Sequence, residues 1–446
     1  MLNKKKIFIV TLIFLYSLIV HLNSYYVSIF SFILIVSTVL LKPKIGFYVF
    51  LVTIIVTPDL NVIAIYSQKI LISHSIFLDT LGGMTIITIT TISVFAISFV
   101  RNFNIQINKF IFCFIILPLI IPLYGIVTTD NFREYISAAS YIITVLTMFY
   151  LLSTIKVETT KVIHILYVCL IIKMIDIVIF TTMLEGFTLV YWGSVAYLFP
   201  IVLLIKHSKR SSLFSTILIL LVISNLIIFP ARGRIALFLV ILLIFIFSNT
   251  SIKKLAKVLT LLCVSMSISY IIVTTLVPDE VTSYAKWKIE TANPTEEENK
   301  SASIRYIEFQ NIILGSLHKG YPLIIGEGYG GYFVDKYVPF NISDLVNDGK
   351  GAAFKPEWIQ SRQFYRPHTV LNILLLKAGI LPTLVFFAGL FYLALKYCVL
   401  VKNKNEIHLL IGILPFIAFI MYTQKLQLIF GLILVLFNQY LVRKHN

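Results

Sequence analysis

The chain has 446 residues, of which 59% are hydrophobic and 13% are charged. Soluble domains are about half apolar and about a quarter charged, so this composition excludes a soluble, disordered, collagen-like or coiled-coil protein and indicates an integral membrane protein. The net charge of +17 would suggest nucleic-acid binding in a soluble chain, whereas in a membrane protein its meaning depends on where the charges lie.

Apolar segments that could cross a bilayer follow one another along most of the chain. A spanning helix needs about 20 mostly apolar residues, with about 17 to 25 tolerated. The fourteen candidates are 7–22, 25–41, 45–57, 81–99, 108–126, 135–153, 161–182, 188–205, 212–229, 234–248, 254–276, 368–396, 407–422 and 426–442. Because 45–57 and the last two are the weakest, we expect an all-α polytopic protein with 12 to 14 transmembrane helices. Barrel strands would instead alternate over about ten residues.

The basic residues are distributed unevenly between the predicted loops. With the N-terminus in the cytoplasm, the inside loops hold twenty lysines and arginines and the short outside loops hold five. Cytoplasmic loops are enriched in these residues, so most of the net charge is a topology signal and no evidence for nucleic acid. We expect both termini on the cytoplasmic side of the inner membrane.

This topology places the long polar segment 277–367 in the periplasm. It carries 12 of the 20 acidic residues and ten basic ones, and loops of such length are usually functional. We therefore divide the chain into N-terminal helices (1–211), helices around Arg232 (212–276), a large periplasmic loop (277–367) and C-terminal helices (368–446).

Few reactive side chains fall inside the predicted spans. Cys113, Cys169, Cys263 and Cys398 lie in or beside apolar runs without metal-binding spacing, which predicts buried, unreactive thiols and no metal or cofactor. Buried charges in a bilayer are costly and usually functional. Lys377 is one such charge, whereas Lys173 and Asp176 are spaced to neutralise each other.

The first candidate site on the outer side contains Arg232 and Arg234, beside Pro230 and Gly233 where two spans meet. Arginine carries a permanent charge and a planar fork of donors that suits phosphate. The alternative is an arginine that only anchors a helix at the membrane interface.

The second candidate site is a helix predicted from Ser301 onwards. Apolar residues recur at helical spacing at Tyr306, Phe309, Ile313 and Leu317. Arg305 lies near the start of this helix, where the backbone dipole also favours an anion. The alternative is an exposed i,i+3 ion pair between Arg305 and Glu308.

The third candidate site is the glycine-rich stretch 326–331, which includes Glu327 and formally matches GxGxxG. The dinucleotide-binding interpretation requires a preceding strand and a βαβ unit, and the sequence predicts neither. We expect a flexible turn that lets two backbones approach closely at the membrane surface.

The fourth candidate site is His368, which follows Arg362 and Arg366 at the outer end of the span 368–396. A histidine can accept a proton near neutral pH. The alternative is a polar anchor at the interface.

All four candidate sites lie on one side of the membrane in this topology. Clustered arginines there indicate an anionic, lipid-linked ligand such as a polyprenyl diphosphate, whose apolar tail would remain in the bilayer.

Three stretches resemble motifs of the O-antigen polymerase and O-antigen ligase superfamily. They are 230–236 around Arg232 and Arg234, 303–330 from the Arg305 helix to the glycine turn, and His368-Thr369-Val370-Leu371 with Gly379. Their order and spacing match over about 215–385. The chain departs from the family at Thr369, where asparagine is usual, and at Pro382, where glycine is frequent.

The resemblance implies a GT-C-like, metal-independent glycosyltransferase. It would transfer a glycan from undecaprenyl diphosphate to an acceptor sugar in the periplasm, with a chain-length regulator as a further partner. By position, Arg232 and Arg305 would stabilise the leaving diphosphate and His368 would activate the acceptor hydroxyl. The residues Arg234, Arg362, Arg366, Tyr306, Glu308 and Glu327 would contact the substrates.

Two members of this superfamily share these motifs. The polymerase extends a lipid-linked chain, whereas the ligase transfers the finished glycan to lipid A core. The count of about fourteen spans favours the polymerase. A flippase is a third interpretation, but a transporter would place polar residues through many spans in two similar halves.

Overall fold

A computed structural model describes residues 4–59, 62–63, 70–101, 105–153, 155, 157–184, 260, 264, 267, 300–340, 354–401, 406–421 and 423–445. The described part of the chain is mostly helical. The predicted spans 188–205, 212–229 and 234–248, and all but three residues of 254–276, lie outside it. The same is true of Cys263.

Helices follow the predicted apolar segments through the N-terminal part. They are α1 (Lys4–Val20), α2 (Tyr25–Leu41), α3 (Pro43–Val56), α4 (Ile86–Arg101), α5 (Lys109–Thr128), α6 (Phe132–Ser153) and α7 (Thr159–Leu184). Between α3 and α4 lie two short antiparallel pairs, β1 (Val62–Ile63) with β2 (Ile70–Ile72) and β3 (Thr80–Leu81) with β4 (Met84–Thr85). The second pair delays α4, which therefore begins later than the predicted span 81–99.

The C-terminal part contains both short and long helices. They are α8 (Lys300–Lys319), α9 (Tyr321–Ile325), α10 (Pro356–Ser361), α11 (Val370–Ala378), α12 (Ile380–Leu400), α13 (Glu406–Ile420) and α14 (Gln424–His445). The predicted single span 368–396 is wrong in one respect, because Gly379 divides it. Gly379 adopts a positive φ of 82°, a conformation that a helix interior does not allow.

Within the part of the chain that the structure describes, four helices are long and apolar enough to cross a membrane, namely α5, α6, α12 and α14. Shorter apolar helices, among them α2, α3 and α4, accompany them. This set is compatible with a multi-pass membrane protein.

The helix α5 is irregular at its centre. A π-helical turn at Phe112–Ile116 and a 3₁₀ turn at Ile121–Tyr124 interrupt it. Pro118 and Pro122 lack backbone N–H groups and cannot continue the α-helical hydrogen-bond ladder. Backbone carbonyls in this region are therefore available to partners elsewhere in the chain.

The main hydrophobic core draws on most of the described apolar helices, and α6 and α14 pack against each other within it. Gly431 brings α14 against Val145 of α6, since a Cβ on this glycine would lie 3.2 Å from the Val145 Cα. Gln427 accepts from the Thr144 hydroxyl at 3.2 Å, and Gln439 donates to the Leu152 carbonyl at 2.9 Å. Residues later in α6 pair with residues later in α14. The two helices therefore run parallel and begin at the same end of the bundle.

A second, smaller core joins the polar segment to α11. Aromatic residues of the segment pack on Leu375 and Leu376, and they include Phe333, Phe340, Phe354, Trp358 and Phe364. This second core positions His368, which directly precedes α11.

The thiols of Cys169 and Cys398 are buried, as the sequence predicts, but Cys113 is exposed. The expectation of burial is wrong for Cys113 because it lies on the outer side of the π-helical turn of α5.

Candidate functional site

The candidate site is centred on Glu308 of α8 and His368. The side chain of Glu308 is fully buried, and its Oε1 lies 2.5 Å from the His368 Nδ1. The backbone N–H of His368 also donates to both carboxylate oxygens, at 3.1 and 3.0 Å. A buried carboxylate is costly unless hydrogen bonds satisfy it, and here the histidine supplies them from both its ring and its backbone.

Asn372 completes this hydrogen-bond network. Its Nδ2 donates to the Glu308 Oε2 at 3.2 Å and to the Arg305 carbonyl at 3.0 Å. Thr369 is the N-cap of α11, where its hydroxyl accepts from the Asn372 backbone N–H at 3.1 Å. Threonine and asparagine both serve as N-caps, so Thr369 caps this helix as an asparagine at the same position would.

The network determines which nitrogen of His368 can act as a base. A carboxylate only accepts hydrogen bonds, so the proton lies on Nδ1 and the lone pair lies on Nε2. The ring of Phe354 packs edge-on against the imidazole, with centroids 4.6 Å apart. The His368 side chain is 30% exposed, and this arrangement suits an oriented general base.

Arg305 and Tyr306 lie on the exposed part of α8, one turn before Glu308. The alternative of an exposed Arg305–Glu308 pair is wrong, because Glu308 is buried and faces His368. Arg305 is exposed three residues before Glu308 on α8, and its backbone carbonyl accepts from Asn372, which also donates to Glu308.

Arg362 and Arg366 connect the polar segment to its surroundings. Arg362 forms an ion pair with the buried Asp335, and Arg366 donates to the Ser137 hydroxyl of α6 at 2.6 Å. Arg362 has a positive φ of 55° as the residue that ends α10. Its pairing with Asp335 makes Arg362 less suited to an anionic ligand than Arg305.

Glu327 lies in a glycine turn that holds three parts of the chain together. Its carboxylate accepts from Lys319 at 2.8 Å. The backbone N–H groups of Glu327 and Gly328 donate to the carbonyls of Leu376 and Lys377, at 2.7 and 2.9 Å. The expected close approach is present, since a Cβ on Gly328 would lie 2.5 Å from the Gly125 Cα. These hydrogen bonds tie the turn to α11.

Lys377 lies at the end of α11, before the apolar helix α12. Its side chain is buried, and its Nζ donates to the Gly331 carbonyl.

Three charged side chains that the sequence analysis singled out have no described position. Arg232 and Arg234 lie outside the described residues, as does the side chain of Asp176. Lys173 is buried in α7.

Sequence reasoning missed two carboxylate pairs at the same end of the bundle. Glu134 of α6 accepts from Lys355 at 2.7 Å, and Asp79 lies 2.7 Å from the His74 Nδ1. Ser28 also donates to Asp79, at 2.5 Å. Glu134 in the first turn of an apolar helix was a signal in the sequence, whereas nothing in the sequence connects Ser28 with Asp79.

Among the residues that the structure describes, no group of three His, Cys, Asp or Glu side chains could hold a metal ion. Comparisons of the chain with protein-family models, with curated proteins and with solved structures found no match.

Proposed function

We propose that the chain is a membrane glycosyltransferase of the O-antigen polymerase kind. It would join undecaprenyl-diphosphate-linked repeat units at the periplasmic face of the inner membrane. The observation that carries this proposal is the buried carboxylate of Glu308, which orients the imidazole of His368 and lies three residues after the exposed Arg305 on α8. The sequence resemblance supplies the substrate class.

In the proposed reaction, the Nε2 of His368 accepts the proton of the acceptor hydroxyl. The acceptor oxygen forms a bond to the anomeric carbon of the donor as the bond from that carbon to the diphosphate oxygen breaks. The diphosphate leaves with the electron pair and gains negative charge. Arg305 stabilises this charge electrostatically, and Arg232 and Arg234 would share that role.

Glu308 has a supporting part in this reaction. When His368 takes up the proton it becomes an imidazolium, and the adjacent carboxylate stabilises that charge while keeping the ring in place. The full burial of Glu308 strengthens the interaction because solvent does not screen it.

The same chemistry serves an O-antigen ligase, which uses the same donor with a different acceptor. The lipopolysaccharide ladder of a deletion strain separates the two activities. A single repeat unit on core indicates a polymerase, whereas bare core with accumulated lipid-linked polymer indicates a ligase. An unchanged ladder rejects both activities. It also rejects the proposed partnership with a chain-length regulator.

Point variants in the deletion strain test the site itself. We expect His368→Ala and Arg305→Ala to abolish chain extension while the protein remains in the membrane at normal abundance. His318→Ala and Lys336→Ala are matched controls, because both residues are exposed on the same polar segment. Normal long-chain polysaccharide from either site variant would contradict the assignment.

A further inference from the structure

The outer face of α8 is apolar although α8 belongs to the polar segment. Tyr306 is 62% exposed and Leu317 is 54% exposed, and Phe309 is also exposed between them. The opposite face is covered, since Asn311 accepts from the backbone N–H groups of Tyr337 and Val338 at 3.1 and 3.0 Å. The helix is therefore packed on protein along one side and presents large apolar side chains on the other.

Arg305 lies at the boundary between two faces of this helix. At about 100° per residue, Arg305 is roughly 60° from Glu308 on one side and roughly 40° from Phe309 on the other. Glu308 faces His368, and Phe309 belongs to the exposed apolar face. The proposed site and the apolar face are thus neighbours on one helix.

The apolar face continues through α9 to α12. Tyr321 and Ile324 of α9 are 58% and 55% exposed. The α9 backbone touches the start of α12, because a Cβ on Gly379 would lie 2.5 Å from the Ile324 carbonyl oxygen. Beyond this contact Leu381 and Leu384, on a helix long enough to cross a membrane, are exposed at 56% and 62%.

We propose that α8 and α9 lie on the membrane surface, with this face inserted among the phospholipids of the outer leaflet. The face, which we call the interfacial stripe, consists of Tyr306, Phe309, Leu317, Tyr321 and Ile324. A contiguous exposed apolar surface marks a binding partner. The partner is lipid because the stripe is continuous with the exposed side of α12, and tyrosines are frequent at the membrane interface.

The charges beside the stripe agree with a lipid partner. Arg305 borders one edge, and Lys319 lies at the end of α8 with a side chain that is 54% exposed. Basic residues flanking an apolar face are typical of helices that lie in the interface plane. The stripe would hold Arg305 and His368 at the level of the phospholipid headgroups. This placement does not depend on the reaction proposed above.

Site-specific photo-cross-linking in native membranes tests this inference in the full-length chain. The photoreactive residue p-benzoylphenylalanine would replace Leu317 or Tyr321, one at a time. Leu384 is the positive control on α12. Lys336 is the negative control, because it adjoins Tyr337 on the covered side of α8. Mass spectrometry and gel mobility identify the cross-linked partner.

We expect phospholipid adducts at Leu317 and Tyr321 in a yield similar to that at Leu384 and several-fold above that at Lys336. Adducts to a peptide of the same chain, or a cross-linked dimer, without phospholipid adducts would overturn the inference. If the photoreactive residue forms no adduct at position 317 or 321 but does form adducts in place of Leu384, the inference is also overturned. Polysaccharide synthesis does not enter this readout, so its outcome is separate from that of the proposed function.

Discussion

Glu308 has no contact with solvent, yet its charge bears on the proposed chemistry through His368. Glu308→Gln keeps the shape of the side chain but removes the negative charge that stabilises an imidazolium. We expect chain extension to fall on the order of 10²–10⁴-fold, the contribution typical of general acid–base catalysis. Repeat-unit incorporation in membrane preparations measures this loss.

The control for this prediction is Glu357→Gln, since Glu357 is exposed on α10. Rates equal to wild type in Glu308→Gln would show that the carboxylate charge is not used. A shift in the pH profile of the residual activity distinguishes loss of the charge from a simple loss of folded protein.

The sequence singles out His368 and Arg305 because both stand in stretches that resemble motifs of a known family. It could not predict that Glu308, which we expected to contact substrate, is buried against His368. Sixty residues separate Glu308 from His368, and only the packing of α8 on α11 brings them together. The same applies to Asn372, whose side-chain amide donates to the Arg305 carbonyl and to the Glu308 carboxylate.

Gly379 connects α11 to α12 through a backbone shape that other residues cannot adopt without strain. Its φ is 82°, and a Cβ would lie 2.4 Å from the Gly326 backbone nitrogen. We expect Gly379→Ala to destabilise the protein severely, because backbone atoms on both sides would have to separate. The melting temperature in detergent and the yield of monodisperse protein are the measurements.

Gly83 offers a matched control for this substitution. It has a φ of 81°, but no atom lies within 4 Å of the position that a Cβ would occupy. Gly83→Ala should therefore cost only the backbone strain, about 1–2 kcal/mol. Equal losses in both alanine variants would mean that the contact between Gly379 and α9 is unimportant.

Spans are predictable from sequence because a bilayer demands long apolar runs, and helices lie at nearly all described candidates. Their interruptions are harder to predict. Pro118 and Pro122 were visible in α5, but prolines are tolerated in membrane helices when other groups satisfy the freed carbonyls. Whether Gly379 breaks a helix likewise depends on the turn that packs against it.

Tyr329 links the polar segment to the helix bundle. Its hydroxyl donates to the Leu119 carbonyl at 2.8 Å, and its backbone N–H donates to the Pro122 carbonyl at 2.8 Å. Removing the hydroxyl leaves a buried carbonyl without this donor, so we expect Tyr329→Phe to lose about 1–3 kcal/mol. Chemical unfolding in detergent measures the change, with the exposed Tyr26→Phe as control. Stability equal to wild type would show that the hydroxyl makes no net contribution.

The irregular centre of α5 also bears on the order in which the chain acquires its structure. Tyr329 is synthesised 210 residues after Leu119, a delay of about 10–40 s at ordinary rates of translation. Backbone groups without partners are costly in a bilayer, so during that interval α5 lacks donors that complete it in the finished protein. The nascent span would have to wait beside the insertion machinery, or keep contact with water, until the glycine turn emerges.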